Sequence, residues 1–295
     1  MGYGSYTAGD WSKLKESRPS IASGSTNQIF TSNEMDSKFD PKFIDQREAR
    51  DSEEHPFSTP LLIGVDVTGS MGYLSTQIIK ESLNELMQKL YSTDMIRDPQ
   101  LLFAAIGDAT YDAAPLQITQ FESDIRIAEQ LLGLWLENGG GDSPEDYELL
   151  WYFAHKHTDI DCYNKRRQKG FCFTIGDADF HKELRADSIQ RIFGDQSAVT
   201  VSSEELAKLA SEKYELFHIT IGDTTKNASD IIPGRVLTIA KSEIQYLPEV
   251  IISVAQLAKG MEEKEVLKQW GELARKVVKK SITLLCIGQK KEIHF

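Results

Sequence analysis

Three short apolar runs, at residues 61–65, 101–106 and 171–175, each stop at an acidic step: Asp66, Gly107-Asp108 and Gly176-Asp177. Unbroken runs of Leu, Ile, Val and Phe without polar alternation are the pattern of strands buried on both faces. Segments of helical period lie between them. Residues 74–91 carry Leu74, Ile78, Ile79, Leu83, Leu86, Met87 and Leu90 on one helical face, with Lys80, Glu81, Asn84, Glu85 and Lys89 on the other. Further helices are expected near 123–136, 144–157, 181–193, 203–213 and 244–257. Strands are expected at 215–221 and 236–240, and a short edge strand at 116–121. Strand and helix alternate throughout, so the expected fold class is α/β and Rossmann-like. It has a central, mostly parallel sheet with one antiparallel edge strand and helices on both faces, and binding residues gather beyond the carboxyl ends of the strands.

At 295 residues the chain exceeds one typical domain of about 150. Residues 1–59 read as a polar N-terminal arm, partly docked or flexible. They show no helical or strand period, and Trp11, Phe30, Phe39, Phe43 and Phe57 are spaced along them as candidate anchors. Residues 60–258 form the α/β domain. Residues 259–295 form a C-terminal helical extension whose Val266, Trp270, Leu273 and Val277 fall on one stripe that packs on the core. A net charge of -12 repels nucleic acid phosphates and anionic lipid, and no long basic run offsets it, so neither nucleic acid nor membrane is an expected partner. Cys162, Cys172 and Cys286 form no C-x-x-C pair and read as buried thiols of a reducing compartment. The N-terminus shows no basic region followed by an apolar run, and no apolar stretch reaches the roughly 18 residues of a membrane span. These features predict a cytoplasmic location. The six histidines read as surface or loop residues.

Because parallel strands all end on one edge, the three acidic loops are expected to open together. In Asp66-Val67-Thr68-Gly69-Ser70-Met71-Gly72 the alternate positions supply one carboxylate and two hydroxyls on a turn before a helix. With Asp177 they form a set of hard oxygen donors suited to Mg2+ or Mn2+.

The run D-V-T-G-S-M-G after an apolar strand resembles the metal-ion-dependent adhesion site of von Willebrand factor type A (vWA) domains. Asp108, Thr119, Phe121 and G-G-G-D-S-P-E at 139–145 resemble the branch that includes bacterial and alpha-kinase-associated members, and the resemblance covers about residues 58–258. It implies one divalent ion, with Asp66, Thr68 and Ser70 from the first loop and Asp177 from the third. The second loop, which supplies a threonine in the family, presents Asp142 here, and Asp108 stands behind the ligands. The implied function is a metal-dependent protein–protein interaction module, a cytoplasmic adaptor without catalysis, whose partner is an ATPase, kinase or other enzyme of an assembly. Glu34, Asp36 or Asp40 of the arm offers an acid to the site of its own or a neighbouring subunit, which allows self-assembly. The alternative is a Mg2+-dependent phosphatase or phosphotransferase. D-V-T-G-S also resembles the D-K-T-G-T motif of the haloacid dehalogenase superfamily, in which Asp66 would be the nucleophile. Val67 stands there in place of the motif's lysine, and Thr68 in place of the general-acid aspartate.

Overall fold

The computed structural model describes residues 4–78, 82–93, 95–137, 139–141, 144–222 and 227–287. Ten strands are present among them: β1 (Arg47–Ala49), β2 (Thr59–Asp66), β3 (Pro99–Ile106), β4 (Leu116–Ile118), β5 (Thr158–Ile160), β6 (Gly170–Gly176), β7 (Glu183–Leu184), β8 (Val201–Ser202), β9 (Tyr214–Ile221) and β10 (Val236–Ile239). Six of them make the central sheet in the order β10-β9-β6-β2-β3-β4. Every pairing in it is parallel except that of β4, which runs antiparallel to β3. The sheet is therefore mixed, with helices on both faces, and the α/β expectation holds.

Strands β2, β3 and β6 are buried at every position, as runs covered on both faces must be. Their period of two divides the core. Leu61, Ile63, Val65, Phe103, Phe171 and Phe173 join one apolar cluster with Leu86, Met87 and Leu90 and with Val250, Ile251 and Val254. Leu62, Leu102, Cys172 and Leu216 point the other way, toward Leu149, Leu150, Phe153, Ile189 and Leu206. Gly64 permits close approach on that second face, since a Cβ there would lie 2.6 Å from both Ile106 Cδ1 and Leu150 Cδ2. Among the described residues no helix is long and apolar enough to cross a membrane.

Several sequence expectations are corrected. The arm contains helices Ala8–Ser17, Ser20–Ser23 and Thr26–Ile29 as well as β1. The first begins with a reciprocal capping box between Thr7 and Asp10. Tyr6, Leu14, Ile21, Ile29, Phe30 and Phe39 are buried in the first apolar cluster, but Phe43 and Phe57 are 69% and 44% exposed and anchor nothing in the core. Phe57 instead carries the guanidinium groups of Arg97 and Arg166 over its ring, at 4.8 and 5.7 Å. The stripe expected from Val266, Trp270, Leu273 and Val277 is broken at Gly271 into helices Glu263–Lys268 and Glu272–Ser281, which resets the helical phase and leaves Leu273 63% exposed. The helix expected over 74–91 is not among these corrections: Tyr73–Gln77 and Leu83–Tyr91 are helical, and Ile79, Lys80 and Glu81 lie outside the described residues. His55 and His157 are buried, and His218 is fully so; Cys286 is exposed.

The last part of the arm is held by charge. β1 pairs with β5 in parallel, and Asp161 just beyond β5 accepts from Arg50 (3.1 Å), Lys165 (2.7 Å) and the Asp51 amide (2.9 Å). Asp51 in turn pairs with Arg166. Replacing Asp161 by alanine strands one amide and loosens two cations, so a loss of about 1–3 kcal/mol is expected, read as a lower urea midpoint. An unchanged midpoint would show that these ion pairs contribute nothing.

Candidate functional site

The strand order places the site. β2 has β3 on one side and β6 on the other, both parallel, so Asp66 at the end of β2 lies level with Ile106 while Val65 lies level with Ile175. The three acidic loops consequently leave the same edge, where open α/β sheets bind ligands.

Asp66 is fully buried and both its carboxylate oxygens accept. Oδ1 takes the Thr68 amide at 2.8 Å and the Thr68 hydroxyl at 2.6 Å, and Oδ2 takes the Tyr147 hydroxyl at 3.1 Å. Thr68 Oγ1 lies 3.3 Å from Ser70 Oγ, and Ser70 donates to Asp177 Oδ1 at 2.8 Å. Lys241 Nζ reaches the other Asp177 oxygen at 3.2 Å. Thus Asp66, Thr68, Ser70 and Asp177 form one continuous chain of oxygen donors. Gly69 N donates to Gly139 O at 2.9 Å, which ties the first loop to the glycine-rich loop. Gly140 sits at φ +90°, where a side chain is strained, and a Cβ there would also crowd Thr68 Cβ at 3.2 Å.

Asp142 lies outside the described residues. Asp108 closes its own loop, with Oδ1 accepting from the Thr110 and Tyr111 amides, while its Oδ2 is buried without a partner. It makes no hydrogen bond to Thr68, Ser70 or Asp177. Tyr147, Lys241, Asp112 and the burial of Glu145 escaped the sequence reading. Asp112 accepts from the Asp108 amide (2.8 Å) and the Gly140 amide (2.6 Å), joining the loop after β3 to the glycine-rich loop. Glu145, expected with Pro144 and Asp146 to open a helix, precedes that helix, which begins at Glu148. Its amide donates to Asp179 O at 2.8 Å, and its side chain is buried beside Thr68 with Oε2 unpartnered. Its place directly after the glycine-rich loop was the available signal.

The electrostatics follow from crowding. Burial raises Asp66 to about 6, with the Asp177 charge adding to the rise and the donors from Thr68 and Tyr147 opposing it. Burial raises Glu145 to about 9, with Asp66 the leading charge against it. Two buried carboxylates beside each other are the arrangement a cation relieves. Among the described residues no three His, Cys, Asp or Glu side chains converge as a metal cage. A donor set here therefore centres on the hydroxyls of Thr68 and Ser70, with Asp66 and Asp177 at the two ends of their hydrogen-bond chain and Glu145 beside Thr68. These are hard oxygens, and the orphaned Glu145 oxygen among them fits a divalent ion such as Mg2+. A cavity of about 680 Å³ lined by residues within 195–209, the end of helix Glu148–Lys156 and Asp45 and Gln46 of the arm shares no lining residue with this site.

No family model matches the chain, and no curated protein matches it. Among solved structures it is similar to proximal thread matrix protein 1 from the mussel byssus with a zinc-occupied MIDAS motif, at 13% identity and TM-score 0.46, covering 67% of this chain and 48% of that one. It is similar also to the pilus adhesin SpaC from Lactobacillus rhamnosus GG, at 9% identity and TM-score 0.45, covering 72% and 31%. A third is a von Willebrand factor type A protein from Catenulispora acidiphila, at 14% identity and TM-score 0.39, covering 70% and 43%. Less than half of each of those chains is matched. The cytoplasmic location expected from the cysteine pattern does not stand, because a byssus matrix protein and a pilus adhesin, both extracellular, are among these similar structures.

Proposed function

We propose that the chain is a non-catalytic protein-binding module whose contact with a partner is made through a divalent cation at the carboxyl edge of the sheet. The observation that carries this reading is the continuous oxygen chain Asp66–Thr68–Ser70–Asp177, with the unpartnered carboxylate of Glu145 beside it. Asp66, Thr68, Ser70, Asp177 and Glu145 would hold Mg2+ or Mn2+, and Asp142 is a further donor in the resemblance. Bound there, the ion supplies a Lewis-acid position for an oxygen of the partner. The residues' own work is to orient: Thr68 and Tyr147 fix the Asp66 carboxylate, Gly69 and Gly139 hold the first two loops together, and Lys241 offsets the charge of Asp177.

No observation favours phosphoryl transfer. The chain departs from the phosphoryl-transfer motif where its chemistry needs side chains, with Val67 in place of the lysine and Thr68 in place of the general-acid aspartate.

An ion bound only by the folded chain stabilises it by mass action, about 2.7 kcal/mol at a hundredfold excess over Kd. Metal-stripped protein is expected to melt higher on adding Mg2+ or Mn2+, and Asp66→Ala combined with Ser70→Ala is expected to abolish the increment. An equal rise in the double variant would sink the assignment. Magnesium-dependent turnover of a phosphomonoester that vanishes in Asp66→Asn would replace it with the enzymatic reading.

A further inference from the structure

Tyr147 has no exposed surface, and it immediately precedes helix Glu148–Lys156. Its ring is held by Phe180, with centroids 4.7 Å apart, and by His218 at 4.9 Å, so the phenol has little freedom to turn. Its oxygen serves two different loops. It donates to Asp66 Oδ2 at 3.1 Å and accepts from the Ala178 amide at 3.3 Å, next to Asp177. Gly176 makes room for this arrangement, since a Cβ there would stand 2.7 Å from Tyr147 Cε1 and Cζ and nearer still to the hydroxyl.

Packing alone does not account for a tyrosine at this position. A phenylalanine would keep both ring contacts without burying a hydroxyl, and a buried hydroxyl costs stability unless it is hydrogen-bonded. Both of the bonds the Tyr147 hydroxyl makes go to the candidate site. We propose that Tyr147 is the positioning residue of that site, joining the loop after β2 to the loop after β6 so that Asp66 and Asp177 address one cation together; this rests on the cation reading above. Without the hydroxyl, Asp66 Oδ2 loses its donor and the Ala178 amide loses its acceptor, so the two loops are no longer tied to one another through it. Groups that orient metal ligands from behind typically govern affinity by 10–100-fold.

The test measures Mn2+ affinity of the full chain by calorimetry and by the loss of the free-ion electron paramagnetic resonance signal. Tyr147→Phe is expected to bind Mn2+ about 10–100-fold more weakly than the wild type. Gly176→Ala, which displaces the hydroxyl without removing it, is expected to weaken binding in the same direction. Trp151→Phe provides the control, because Trp151 stacks on Phe180 in the same aromatic cluster, at 4.9 Å, with no bond to Asp66. That variant is expected to lose stability yet keep its Mn2+ affinity. Undiminished affinity in Tyr147→Phe, or an equal loss in Trp151→Phe, overturns the positioning role alone. A wild type that takes up no Mn2+ overturns the cation reading and this inference with it.

Discussion

Truncating Phe39 to alanine is expected to lower stability by about 3–5 kcal/mol, whereas the same change at Phe43 should move it by less than about 0.5 kcal/mol. The two residues lie four apart in the arm with the same side chain, so composition does not distinguish them. Phe39 is 1% exposed and belongs to the apolar cluster on one face of the sheet. Gly133 accommodates its ring, since a Cβ there would stand 3.1 Å from Phe39 Cε2. Its carbonyl also accepts from the Ile118 amide at 2.8 Å, so the arm caps the outer edge of β4 where an unpaired edge would otherwise face solvent. Removing the ring leaves a cavity at that junction. Phe43 is 69% exposed and gives up no such contact. Urea titration of both variants checks the pair, and equal midpoints would mean that the arm adds nothing to the fold.

Acid should destabilise the protein through His218. The imidazole is fully buried in β9; its Nδ1 lies 2.9 Å from Thr174 Oγ1 and its Nε2 has no partner. Burial pushes it down to about 3. The sign follows from which state binds the proton. Above the unfolded value near 6.5 neither state is protonated and the full stability is present. As pH falls below 6.5 the unfolded chain gains a proton that the folded chain refuses, so stability drops by about 1.4 kcal/mol per unit until pH approaches 3. His218→Leu is expected to flatten that slope between pH 6 and 4. Asp66 and Glu145 pull in the opposite sense, because carboxyls raised in the fold cost stability as pH rises through their folded values. Comparing the variant with the wild type at each pH, in chemical denaturation, isolates the histidine contribution. Parallel pH profiles would show that His218 does not titrate on unfolding.

The sheet was legible in the chain because its central strands are covered on both faces. Unbroken runs such as 61–65 and 171–175 have few other folded solutions, and an aspartate or Gly-Asp step marks each strand end. In the candidate site the contacts that depend on local spacing were legible: Asp66, Thr68 and Ser70 lie two residues apart and their side chains meet, and Asp177 joins them because β6 neighbours β2. Contacts decided by tertiary approach were not legible. Pro144-Glu145-Asp146 has the composition of a helix start, yet the bond from the Glu145 amide to Asp179 O pulls it out of the helix and buries its carboxylate. Tyr147 drew no reading and His218 read as a surface or loop residue, because nothing adjacent in sequence shows that one donates to Asp66 and the other packs against its ring. The arm is an intermediate case. Thr7 and Asp10 spell a capping box at the right spacing, but two of its three helices span only four residues, too short to display a period.

The position of β2 has a consequence for the order in which the chain assembles. It is the first strand of the central sheet to leave the ribosome, and it pairs with nothing before it; its neighbours β3 and β6 begin at Pro99 and Gly170. Both edges of its most apolar segment therefore stay unpaired while a long stretch of chain is still being made, and the β6 edge waits longest. Closing such distant parallel pairs is slow, since loop entropy is lost before the pairing rewards it. Until Gly170–Gly176 is made, the β6 edge of this apolar strand has no native partner, the kind of unpaired edge that invites association with other chains.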